Sequence, residues 1–141
     1  ETPNLRWMLV TKRIGNLAKM VPDDWPFAHV GVISTIVTQA EWDRDWPKLK
    51  AMPAPWRGIS MEPLLGAIDI GSERPDWIIT GGESGSVCRI TRPEWVRSLR
   101  DQCAANGVAF HQKQWGGSRP ADNGCLLDGV EYKQFPAALA A

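Results

Sequence analysis

The 141 residues include only three cysteines, two histidines and one tyrosine. Cys88, Cys103 and Cys125 are odd in number and widely spaced, which argues against a disulfide framework and against a zinc site of closely paired ligands. Unpaired thiols of this kind suit a reducing, cytoplasmic compartment. Neither sign of charge predominates, since 16 Lys and Arg balance 16 Asp and Glu. Duplex-DNA and membrane-surface binding draw on a basic excess, so neither is expected. No apolar run approaches the roughly 18 residues of a membrane span. No charged-then-apolar start suggests a secretion signal. The chain also falls short of a whole eight-unit β/α barrel, which takes about 250 residues. It opens Glu1-Thr2-Pro3-Asn4 with no initiator methionine, so a piece of a longer protein is expected.

Apolar residues make up 43% of the chain, enough for an ordinary core, and eight of the residues are tryptophan. Trp42, Trp46 and Leu49 fall on one helical face, which reads as core. Only Lys113 with Trp115 has the cation–aromatic pairing of a base-stacking platform. Five short apolar runs end in polar residues: 5–10 before Thr11-Lys12-Arg13, 29–33 before Ser34-Thr35, 56–61 before Glu62-Pro63, 77–80 before Gly81-Gly82-Glu83, and 108–111 before Gln112-Lys113-Gln114. Such runs fit strands buried on both faces of a parallel sheet. Their ends recur every 20 to 30 residues or so, the length of a strand-plus-helix unit.

Capping boxes at Thr38–Glu41 and Thr91–Glu94 open two of the helices. Val96, Leu99 and Cys103 form the apolar face of the second, with Gly107 as its C-terminal stop. Pro47 should end or kink the first. A weaker helix follows Arg13 on Ile14, Leu17, Ala18 and Val21, and residues 64–75 are too few for a full helix. The expected fold is α/β: about five mostly parallel strands with crossover helices over residues 1–117, resembling the C-terminal half of a partial β/α (TIM-like) barrel. Residues 118–141 form a turn-rich hairpin, signalled by Asp128-Gly129, and a fraying Ala-rich tail.

Ligands of such sheets collect at the C-terminal ends of the strands. That rule selects Lys12, Arg13, Glu62, Gly82, Glu83, Ser84, His111, Lys113, Gln114 and Trp115 as candidate substrate-binding residues. Glu62 could bind a cation or an amine, or act as a base, or simply pair with Lys12 or Arg13. The run Gly81-Gly82-Glu83-Ser84-Gly85 could aim backbone N–H groups at an anion or form a tight turn. It is neither a Walker motif nor a dinucleotide fingerprint. His111 shares a strand face with Lys113 and reads as a structural histidine or a catalytic one. No Ser-His-Asp spacing and no close carboxylate pair points to a particular hydrolase. No metal site and no catalytic residue is assigned.

The motifs Thr11-Lys12-Arg13, Met61-Glu62-Pro63-Leu64-Leu65-Gly66, Gly81-Gly82-Glu83-Ser84-Gly85 and Lys113-Gln114-Trp115-Gly116 occur in that order. Residues 95–103 lie between the last two, and the hairpin and Phe135-Pro136 follow. Together, over nearly the whole chain, they resemble the C-terminal part of the phage "gene product thirty-seven/sixty-eight" family, a domain of unknown function. The resemblance implies a barrel-like fold. It also implies an N-terminal part outside this chain, with a three-cysteine motif like that of radical S-adenosylmethionine (SAM) enzymes. There, three thiolates would hold a [4Fe–4S] cluster and leave one iron for the cofactor. None of the three cysteines here matches that motif, so no cofactor is expected in this chain itself. Members of the family read close to Val-Ser-Val-Glu-Asn at the second strand end, where this chain has Val32-Ile33-Ser34-Thr35-Ile36. Gly81-Gly82-Glu83 comes too late in the strand order for the amine-binding role of the radical-SAM Gly-Gly-Glu.

The expected function is therefore the substrate-side wall of a radical-SAM-like, phage-associated enzyme, with the fragment alone inactive. The alternatives are a non-catalytic module binding a nucleotide, a nucleic-acid end or a protein on the same surface, and a degenerate remnant that keeps the fold without chemistry. The expected partners are the rest of the parent chain, a substrate of unknown identity and, through an open sheet edge, a second copy.

Overall fold

The computed structural model describes residues 4–140; residues 1–3 and Ala141, part of the expected tail, lie outside the described residues. Five strands form one all-parallel sheet in sequential order: β1 (Trp7–Thr11), β2 (Val30–Thr35), β3 (Arg57–Met61), β4 (Trp77–Gly81) and β5 (Ala109–Gln114). α1 (Ile14–Leu17) follows β1, α2 (Gln39–Ala51) follows β2, and α3 (Pro93–Asn106) follows β4. Two single-turn helices, α4 (Pro120–Asn123) and α5 (Ala137–Ala140), lie in the C-terminal segment.

Side chains alternate across the sheet, so each strand serves two faces. Val32, Ile59, Met61, Ile78 and Phe110 share the main core with Ile14 of α1, with Trp42, Trp46 and Leu49 of α2, and with Val96, Leu99 and Cys103 of α3. The first three helices thus lie on one side of the sheet, as successive right-handed crossovers require. A smaller cluster on the other side holds Ile33, Trp56 and Trp77, with Ala138 and Leu139 against it. Sequential parallel strands with helices on one face form the arrangement of a barrel segment.

Three local expectations change in the structure. α2 runs through Pro47 to Ala51, because Trp42, Trp46 and Leu49 anchor it on both sides of the proline. α3 has no box at Thr91: Arg92 is its N-cap, Pro93 its first residue, and the Thr91 hydroxyl donates to the Leu64 carbonyl at 3.0 Å. α1 is a single turn that stops short of Ala18 and Val21. The Thr38 box is present, with Glu41 N–H donating to Thr38 Oγ1, but the Glu41 carboxylate accepts from Val37 N–H, one residue before the cap.

The connection from β3 to β4 has no helix and is pinned by side-chain amides instead. Gln39 Oε1 accepts from Asp69 N–H, and Gln102 Oε1 accepts from Ile70 N–H, each at 2.7 Å. Leu64, Ile68 and Ile70 then fill the core where a helix would have packed. Asp128 and Gly129 both have positive φ, and Leu127 and Val130 exchange two backbone hydrogen bonds of 3.0 Å across them. This is a tight hairpin turn, confined to that one bridge.

Candidate functional site

The sheet register sets side chains in rows on the face opposite α1, α2 and α3. Val10, Ile33, Gly58, Trp77 and Ala109 are neighbours in one row. Thr35, Ser60, Ile79 and His111 form the next, nearer the C-terminal ends of the strands. A cavity of about 410 Å³ lies over these rows. Met8, Val10, Ile33, Trp77 and Ile79 make its apolar part; Lys12, Thr35, Ser60, Glu62 and Lys113 supply the polar groups.

Glu62 is the best-held of the polar groups. Its side chain is only 18% exposed, and Lys113 Nζ lies 2.9 Å from Oε2. The Ser60 hydroxyl donates to Oε1 at 3.2 Å. The carboxylate lies over Gly81, where an added Cβ would sit 3.0 Å from Oε2. Glycine there leaves room for the Glu62–Lys113 pair to cross β4. The ion partner of Glu62 is therefore Lys113, not Lys12 or Arg13. Lys12 lines the cavity and makes no ion pair among the described residues. Arg13 is exposed, does not line the cavity, and its backbone N–H donates to Thr11 Oγ1.

The two glycine-containing strand ends pack on each other. Gly82 N–H donates to the Gln114 carbonyl at 2.9 Å, and the Gln114 amide donates to the Gly82 carbonyl at 2.8 Å. Gly117 N–H bonds the Glu83 carbonyl, and Gly85 N–H bonds the Gly117 carbonyl. A Cβ on Gly82 would collide with the Trp115 carbonyl, and one on Gly116 with the Glu83 carbonyl. Close backbone approach explains glycine at both positions. Glu83 takes Arg89 in a two-point pair at 2.6 and 2.8 Å, and those hydrogen bonds pull its carboxyl down to about 2. Ser84 is exposed and bridges to Gly117. Trp115 donates its indole N–H to the Leu126 carbonyl.

His111 stands beside the cavity between two rings, with Trp77 at 5.8 Å and Phe135 at 5.6 Å between centroids. Its Nδ1 is buried without a hydrogen-bond partner. Burial holds its imidazole below the ordinary value. Lys133 and Lys113 add to that effect, and Glu62 and Glu131 oppose it.

Of the ten candidate residues, the structure brings Lys12, Glu62 and Lys113 to one cavity. Glu83, Ser84 and Trp115 belong to the adjoining clasp of the two strand ends. Val10 and Ser60 were missed as lining residues, although they stand two places before Lys12 and Glu62, which is the strand period.

The residues present do not fit an iron–sulfur cluster. Among the described residues, no group of three His, Cys, Asp or Glu could hold a metal ion. Cys88 and Cys125 are half-buried, and burial pushes the Cys103 thiol up to about 12. No described helix is long and apolar enough to cross a membrane.

No curated protein and no solved structure matches this chain. Its residues 1–136 match the family described as "Protein of unknown function (DUF5131)", and the chain belongs to that family.

Proposed function

We propose that the sheet face opposite α1, α2 and α3 is the substrate-facing wall of a barrel-type enzyme site. One observation carries this reading: Lys12, Glu62 and Lys113, from the ends of β1, β3 and β5, meet over one apolar cavity. Charged groups gathered at the C-terminal ends of parallel strands are how such folds hold substrates. Glu62, steadied by Lys113 and Ser60, offers an acceptor for a substrate N–H or O–H. Lys12 offers a cation for an anionic group at the β1 end. The resemblance of the ordered motifs extends the proposal to a longer, phage-associated, radical-SAM-like parent whose cluster ligands lie outside this chain. The free thiols suit a cytoplasmic setting.

The longer protein with its three-cysteine motif, reconstituted with iron and sulfide, is expected to take up a cluster and cleave SAM reductively. Failure to take up a cluster with those cysteines intact would remove the radical-SAM part of the reading. Glu62→Gln and Lys12→Met in that protein are expected to lower turnover by at least about tenfold with cluster content unchanged. Full turnover in both variants would remove the wall itself. Binding of nucleotides or short single strands at Glu62 and Lys113, with no turnover, would favour the non-catalytic module.

A further inference from the structure

The N-terminal ends of β3 and β4 carry a second cavity, of about 290 Å³, and every residue lining it lies between 46 and 76. Arg57 opens β3 and Asp76 directly precedes β4, so this cavity is at the opposite end of the strands from Glu62 and Lys113. α2 adds Trp46 and Lys50, and the β3–β4 connection adds Glu73 and Arg74. Three cations thus stand with two carboxylates, and most of these charges are already committed. Lys50 Nζ holds both Glu73 oxygens, at 3.1 and 2.9 Å. Asp76 Oδ2 accepts the Arg57 backbone N–H at 2.7 Å. Arg57 Nε donates to the Met52 carbonyl at 2.9 Å, which orients the guanidinium and leaves its two outer nitrogens without an acceptor among the described residues. Arg74 is exposed and makes no hydrogen bond or ion pair among them. Trp46 is 5% exposed, and its buried indole N–H stands near Glu73 without bonding it. A buried N–H with no acceptor is costly. What the cavity lacks is acceptors.

We propose that this cavity binds the phosphate group of a small phosphate monoester. Guanidinium forks match phosphate oxygens in both charge and geometry. The terminal oxygens of a tetrahedral phosphate can meet the Arg57, Arg74 and Trp46 donors together, which the paired oxygens of a planar carboxylate cannot. Lys50 and Glu73 neutralise each other, so Arg57 and Arg74 against Asp76 leave one positive charge, which favours an anion. The volume is at the small end of ligand sites, about 300 Å³, and suits a head group more than a whole ligand. Arg74 and Asp76 also line an adjoining groove of about 750 Å³, together with Pro75, Val108 and Phe135. A phosphate held by Arg57 and Arg74 would lay its organic part in that groove, against apolar side chains. Chemistry in barrel folds belongs to the other end of the strands, so this is a ligand site apart from the substrate wall, and no catalytic step is assigned to it.

Phenyl phosphate supplies both a phosphate and an apolar body, and the indole N–H resonance of Trp46, assigned by triple-resonance correlation, is the reporter. Phenyl phosphate is expected to shift that resonance saturably at millimolar concentration. Inorganic phosphate should shift the same resonance with weaker affinity, and phenol should leave it in place. Arg74→Met alters an exposed side chain, so circular dichroism should be unchanged while affinity for phenyl phosphate falls by at least about tenfold. Phe135→Ala should weaken phenyl phosphate and leave inorganic phosphate as it was. No saturable shift, or the same shift from sodium chloride at matched ionic strength, would overturn the site. So would full affinity in Arg74→Met. Equal affinity for phenyl phosphate and inorganic phosphate in the unaltered chain would overturn the monoester assignment. None of these readouts involves Lys12, Glu62 or Lys113, so this site and the substrate wall can fail separately.

Discussion

At the scale of single residues, the sheet face is organised by what stands beside each charged or polar atom. Glu62 keeps two partners and a glycine beneath it, while His111, one row neighbour of Ile79, keeps rings on two sides and a buried Nδ1 with no partner. The protonated imidazole is disfavoured there, first by burial and then by Lys133 and Lys113, with Glu62 and Glu131 in partial opposition. The folded-state value therefore lies below that of the unfolded chain, about 6.5. As pH falls through the window between the two, the unfolded chain takes up the proton first. The contribution of a neutral His111 to stability is full above that window and is lost on descending through it. The urea midpoint is expected to fall between about pH 7 and about pH 5, and His111→Gln should flatten that fall. Equal slopes in the two proteins would show that His111 does not carry the effect.

At the scale of elements, what was legible in the sequence was whatever depended on near neighbours. All five strands appear where apolar runs end in polar residues, and Gly107 stops α3 with a φ of 69°. Thr38 caps α2 because its acceptor and the Glu41 N–H are three residues apart. Thr91 has the same spacing to Glu94, yet its hydroxyl finds the Leu64 carbonyl, a partner far away in the chain. The clasp of Gly82 on Trp115 and the lie of Glu62 over Gly81 are long-range in the same way, so no local pattern announces them.

Pro47 shows the contest most clearly. The ring removes the N–H that would bond the Asp43 carbonyl, and a proline inside a helix costs about 3 kcal/mol. α2 nonetheless continues, held by Trp42 and Trp46, stacked at 5.4 Å, and by Leu49, all buried in the core. Pro47→Ala is expected to restore the bond and stabilise the chain by about 1–3 kcal/mol, read as a higher midpoint in urea. A neutral or destabilising result would mean that the helix is already bent to suit the proline.

At the scale of the whole molecule, the C-terminal segment is tied to the rest of the chain along its length. Leu127 is fully buried in the main core together with α3 and the strands. Asp128 holds Arg97 and Arg100 of α3, and Tyr132 packs edge-on against Phe110 of β5. Phe135 reaches round the sheet to Trp77 and His111 on the other face. Exposed ion pairs such as Asp128 with Arg97 contribute little by themselves. The apolar anchors therefore decide whether residues 118–140 unfold alone or with the sheet. Leu127→Ala leaves a cavity beneath the hairpin and is expected to cost about 2–5 kcal/mol. If the segment and the sheet are one cooperative unit, that cost appears as a single transition shifted to lower urea. Tryptophan fluorescence and far-ultraviolet circular dichroism should then coincide. Two separated transitions, with the sheet keeping its original midpoint, would make the hairpin an independent unit. The covered β5 edge would in that case open before the sheet melts and become a site of association.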